Sequence, residues 1–265
     1  MHQKEQVMAP LLEPGLGIQL ELVASLDTDR FGTFAGEVER PAGQRETAKL
    51  KCQRALALSG LDLAIASEGS FGPHPELAFV PANVELVTLL DSRHLLEVTG
   101  QHLTTDTNFA QQTVHSWAEV ARFAENAGFP AHGLLARDLA TGMVVKGIVN
   151  PAQLEQLAQN LLAKEGKFGL ETDMRAIYNP TRMLAIALAT RDLITRLQTA
   201  CPQCGSPGFG ANGQRPGLPC AWCGLPTRLP LARLCTCPKC GHRTEDLFPT
   251  GATTADPAYC EFCNP

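Results

Sequence analysis

Residues 201–224 read "CPQCGSPGFGANGQRPGLPCAWCG". Two C-x-x-C pairs stand fifteen residues apart, and a glycine follows each pair. A second run follows, Cys237/Cys240 and Cys260/Cys263, with nineteen residues between its pairs. Thiolates hold soft divalent metals in fours at tetrahedral sites, and both gaps suit such sites. A glycine after the second cysteine gives the tight turn of a metal-binding knuckle the backbone freedom it needs. Cys201, Cys204, Cys220, Cys223, Cys237, Cys240, Cys260 and Cys263 thus form two candidate four-cysteine zinc sites. Four-cysteine iron is the alternative metal. The spacing favours sequential ribbons, first pair with second and third with fourth; a cross-braced arrangement is the other option. Four thiolates leave no position for water, so the two zinc ions are expected to be structural.

Working outward, nine of the ten cysteines lie between Cys201 and Cys263. A secreted disulfide framework would staple the whole chain, so this usage points to metal in a reducing, cytoplasmic compartment. Cys235, in "CTCPKC", is a spare thiol, and Cys52 lies on the apolar stripe of a helix. The texture changes abruptly after Ala200, which marks the expected boundary: an α/β domain over 1–200 and a double zinc ribbon over 201–265. Net charge is −5, with 44% hydrophobic and 18% charged residues. That balance carries no global footprint for nucleic acid, and no apolar run is long enough to span a membrane.

Before residue 201, helical periodicity covers 3–13, 44–59, 116–128, 150–164 and 179–200. Ser116 with Glu119 forms a capping box, and Asn150-Pro151 and Asn179-Pro180 open two of the helices. Alternating or continuous apolar runs predict strands at 17–24, 61–67, 84–92 and 94–103, then in "HGLLARD" and "GMVVKGI". Strands interleaved with helices indicate an α/β domain, a mixed sheet with flanking helices. Residues 25–43 read as a long Gly- and charge-rich loop.

"TDRFGTFAGEVERP", "ASEGSFGPHP", "ETDMRAIYNPTRM" and "YCEFCNP" resemble, nearly end to end, a bacterial family catalogued as a domain of unknown function. More distantly, "GQRETAKLKCQRAL" followed by "DLAIASEG" resembles the inosine/xanthosine triphosphatase superfamily. That resemblance implies a Mg²⁺-dependent phosphohydrolase acting on a nucleotide or similar phosphate ester. It puts a Glu-Thr at a helix start, here Glu46-Thr47, and an acid-Gly at a strand end, here Glu68-Gly69. Lys4 stands where its phosphate loop carries a base, and Thr181-Arg182 leads the last helix.

On this reading Glu46 and Glu68 hold Mg²⁺, which takes few carboxylates and keeps waters for a phosphate. Asp173 and Arg182 complete the catalytic set, while Lys4, Lys51, Gly69, Ser70 and Arg175 contact a small phosphate ligand. In parallel sheets ligands gather beyond the carboxyl ends of strands, and Glu68 stands at such an end before a permissive Gly-Pro loop. The plainer alternative is that Glu68 caps a turn and His74, between two prolines, is structural. The competing function is a zinc-binding recognition protein without turnover.

Overall fold

Local chemistry sets most helix limits in the computed structural model, which describes residues 3–23, 43–75, 77 and 79–265. The long loop expected at 25–43 lies outside the described residues except for Gly43. Five α-helices are described: α1 (Glu5–Leu16), α2 (Gln44–Ser59), α3 (Trp117–Ala127), α4 (Pro151–Glu165) and α5 (Pro180–Gln198). Ser116 Oγ accepts the Glu119 amide at the start of α3, while Glu119 Oε2 reaches back to the amide of His115. Asn150 caps α4 by accepting from Ala152 and Gln153. Left-handed glycines at 60, 128 and 166 close α2, α3 and α4. α1 continues past both Pro10 and Pro14, burying Met8 and Leu12.

Contacts divide the chain into two units, Met1–Leu90 with Thr99–Ile194, and Asp91–Val98 with Thr195–Pro265. The first unit is mixed α/β with two sheets. One has the order β1 (Leu63–Pro73), β2 (Pro81–Asp91), β3 (Leu96–Thr104). Its strands are joined by seven and four residues, too few for the crossover that a parallel pair needs, so it is an antiparallel meander. The other sheet runs β4 (Gln111–Val114), β7 (Phe168–Thr172), β5 (Leu134–Arg137), β6 (Val144–Ile148) and is antiparallel throughout. Val114, Phe123, Leu134, Ile148, Leu154 and Phe168 lead the core that α3 and α4 share with it. Elsewhere β3 meets α5 at Gly100, where any Cβ would collide with the backbone at Leu193.

Several sequence expectations change. β1 does not end at Glu68 but runs through "SFGP" to Pro73. Among the described residues it is an edge strand, where Gly and Pro are tolerated, and Phe71 packs on Phe109. The rule of ligands beyond parallel strand ends therefore does not apply to Glu68. The strand expected at 17–24 is absent over 17–23, and residue 24 lies outside the described residues. That segment instead turns back on α1, with the Leu20 amide donating to Glu13 Oε1. β4 and β7 lacked a signal because "QQTV" buries Val114 alone and "FGLET" alternates too briefly.

The second unit holds β8 (Gly210–Pro216), β9 (Pro230–Thr236) and β10 (Arg243–Leu247), with β9 central and both pairings antiparallel. Among the described residues no helix is long and apolar enough to cross a membrane.

Candidate functional site

In the second unit each C-x-x-C closes a knuckle. The carbonyls of Cys201, Cys220, Cys237 and Cys260 accept the amides of Gly205, Gly224, Gly241 and Asn264 at 2.8–3.1 Å. The three glycines sit at φ near 71°, a left-handed region that side chains rarely adopt, as the sequence pattern implied. Amides also point at sulfur: Trp222 N lies 3.4 Å from Cys220 Sγ, and Lys239 N lies 3.4 Å from Cys237 Sγ.

The pairs combine as first with third and second with fourth. Cys201, Cys204, Cys237 and Cys240 form one set, and Cys220, Cys223, Cys260 and Cys263 the other. The sequential ribbons favoured by spacing give way to the cross-braced alternative, because strand register decides. Gly210 on β8 stands opposite Thr236 on β9, which brings the first knuckle to Cys237. A bridge from Cys220 to Ala255 brings the second knuckle beside the fourth.

Neighbouring sulfurs are 3.6–3.8 Å apart across the pairs, and all ligand atoms of a set lie within 4.8 Å. A tetrahedral four-thiolate zinc, with Zn–S near 2.3 Å, places its sulfurs about 3.8 Å apart. The sets therefore fit two zinc ions.

Their acid–base chemistry also asks for a cation. Burial pushes the Cys237 thiol up, but the amides of Cys240 and Lys239 outweigh it and bring it down to about 6. The His242 amide favours a thiolate at Cys240, yet burial and the sulfurs of Cys204, Cys237 and Cys201 drive it up to about 12. In the second set the Cys223 amide leads in lowering Cys220 to about 7, while Cys223 sulfur leads in raising Cys263 to about 12. One sulfur ionises readily and a neighbour resists, as expected of four crowded thiols that only a dication lets ionise together.

Cys235, half-buried on β9 between Ala211 and Thr244, belongs to neither set. His242 stacks on Phe209, and Cys52 is buried with its thiol 3.4 Å from the Thr88 carbonyl.

In the first unit Lys51 ion-pairs with the buried Glu68, and Lys4 Nζ lies 2.9 Å from Ser67 Oγ and 3.2 Å from Ser67 O. Arg182, wholly buried, donates from Nε to Glu85 Oε1 at 2.7 Å and from Nη1 to Met174 O at 2.5 Å. Its guanidinium also covers the Phe71 ring. Gly69 is required here, since a Cβ would strike Arg182 and the Glu85 carboxylate. Lys4, Lys51, Glu68, Gly69 and Arg182 thus gather in one cluster, with half-buried Ser70 next along the strand.

Glu85 joins them unforeseen. Its signal was an acid inside the apolar run "NVELVTLL". Asp173 forms a different pair, chelated by Arg175 through Nε and Nη2 and accepting the Gly147 amide at 3.0 Å. Glu46 is exposed in the first turn of α2. Among the described residues the groups of donors able to hold a metal are the two cysteine sets, so the expected Mg²⁺ carboxylates do not form one.

Lys4, Lys51 and Ser67 contribute to the wall of a cavity of about 730 Å³, otherwise lined largely by apolar side chains such as Met8, Leu20 and Ile65. Burial, then the Arg182 charge, pull the Lys4 amine from 10.5 down to about 7, against Glu85 and Glu68. Lys51 adds to the depression.

The family model described as Domain of unknown function (DUF6671) matches residues 51–265, and the chain belongs to that family. No curated protein and no solved structure matches it. The match spans both cysteine sets, β1 and α5, and starts after Lys4.

Proposed function

We propose that this chain is a zinc-stabilised recognition protein whose first unit takes a small anionic molecule with an apolar body, both zinc ions being structural. Two lysines set in a largely apolar cavity wall carry this reading. Lys4 and Lys51 line the cavity together with Glu5, Glu21 and Asp62, and Lys4 is also acted on by Arg182, Glu85 and Glu68. An anionic head group pairs with Lys4 and Lys51, and the apolar lining takes the rest of the ligand. A phosphate or carboxylate head group meets the requirement.

The Mg²⁺-dependent phosphohydrolase suggested by the triphosphatase resemblance draws less support. Glu68 is engaged by Lys51, Asp173 by Arg175 and Arg182 by Glu85, while Glu46 is exposed on α2.

Calorimetry with octanoate, octyl phosphate and octanol tests the proposal. Both anions should bind, octanol should bind at least about tenfold more weakly, and Lys51→Met should weaken both anions. Equal affinity for octanol would refute a role for charge. Phosphate release from nucleoside triphosphates that requires Mg²⁺ would favour the hydrolase instead.

A further inference from the structure

We infer that Lys4 is a covalent site: its amine condenses with the carbonyl of a 2-oxo acid to form an imine in the cavity. This rests on the ligand reading above and narrows the ligand class, because a 2-oxo acid carries a carbonyl beside its anionic group.

Three observations carry the inference. Lys4 lines a roomy, largely apolar cavity, where a ligand can reach its amine. Two cations, Arg182 and Lys51, face it together with Glu68 and Glu85. Desolvation beside other cations turns a lysine into a nucleophile near neutral pH. The third is Ser67, whose hydroxyl lies 2.9 Å from Nζ and whose carbonyl lies 3.2 Å away. Nζ donates to both oxygens, so a neutral amine spends its two N–H groups on Ser67 and leaves its lone pair for a carbonyl carbon. The hydroxyl, at hydrogen-bond distance, is positioned to pass a proton.

The step balances without oxidant or reductant. The Nζ lone pair attacks the carbonyl carbon, and the carbonyl π pair moves to oxygen, which takes up a proton to give a carbinolamine. Nitrogen loses its extra proton, the hydroxyl leaves as water after a second protonation, and the C=N bond forms. Amine and oxo acid give imine and water. The ligand carboxylate pairs with Lys51, and the iminium charge stands beside Glu68 and Glu85.

The test uses the full, zinc-loaded chain with 2-oxooctanoate and sodium cyanoborohydride, read by peptide mass spectrometry. The expected result is one dominant adduct on Lys4, with the mass of the oxo acid less one oxygen. Its trapping rate should rise as pH passes about 7, the value to which the cluster lowers Lys4, whereas exposed lysines need far higher pH. Lys4→Arg should abolish the adduct, and a cooperative urea transition of its first unit should verify that the variant is folded. Adducts spread over other lysines, or undiminished in Lys4→Arg, would overturn the inference. Octanoate binding to the parent with no adduct would sink it alone. Failure of both octanoate and the oxo acid to bind would remove the ligand reading beneath it.

Discussion

Between Thr195 and Pro265 the buried apolar side chains are four cysteines, Leu218, Ala232 and Ala255. Around β4–β7, α3 and α4, thirteen buried residues form one continuous cluster that includes Phe123, Ile148 and Phe168. At roughly 25 cal/mol per Å² of apolar surface, the first arrangement has little to set against chain entropy, while the second resembles an ordinary core. The contrast extends to charge. The second unit crowds thiols that need an external cation, whereas the first buries charged side chains that pair with one another, Arg182 with Glu85 and Lys51 with Glu68. Metal should therefore decide the stability of one unit and leave the other almost untouched.

The largest expected effect follows from removing that metal. Structural zinc contributes on the order of 10 kcal/mol to a small domain, so a chelator should unfold the second unit while the first still melts cooperatively. Native mass spectrometry should show two zinc ions per chain before chelation. Cys204→Ser sharpens the test by separating the two pairings. Cross-bracing leaves one zinc, held by Cys220, Cys223, Cys260 and Cys263, and proteolysis should open the knuckles at Cys201 and Cys237 together. If the knuckles at Cys201 and Cys220 open instead, the ribbons are sequential and cross-bracing is wrong.

The same contrast explains how much the sequence disclosed. The eight ligands were legible because spacing within each pair is a local pattern, and so were the caps at Ser116 and Asn150. The helical stripe of α2 was legible too, with Ala48 and Cys52 buried as its spacing implied. Which knuckles share a metal was not legible, because sheet register across β8 and β9 settles it. The first unit's cluster was harder still: Arg182 and Glu85 stand 97 residues apart, and nothing local at either position announces the other. Glu68 stood out in the sequence as unusual, but its ion-pair partner Lys51, on α2, did not.

Next in size is Arg182→Met. It leaves the wholly buried Glu85 without its cation and frees the Met174 carbonyl, which should cost about 3–5 kcal/mol in urea unfolding of the first unit. The double variant Arg182→Met/Glu85→Leu should recover much of that loss, because no buried charge remains unpaired. Zinc content should stay at two in both. A single variant that unfolds at the parent's urea midpoint would show that the pair contributes nothing and would break the contrast from the other side.

The smallest effect concerns Lys4. Lys4 has its amine lowered from 10.5 to about 7 by burial and by Arg182, so between those values the unfolded chain binds the proton and the folded chain does not. Parent stability must then rise with pH across that window. Below pH 7 both states carry the proton, and the folded state bears the whole penalty of holding it. Lys4→Met has no proton to hold, so it should be the more stable protein at pH 6. The gain should be on the order of 1 kcal/mol rather than several, because Lys4 keeps part of its surface in water and loses its bond to Ser67 on substitution. The advantage should shrink as pH rises above 7 and vanish near 10.5, where the unfolded lysine is neutral too. Melting curves of parent and variant at pH 6, 8 and 10 measure this directly. An ordinary, well-paired lysine predicts the reverse sign at pH 6 and no convergence before its own high pKa, and that result would show that burial in the cavity wall does not disfavour the charged Lys4 amine.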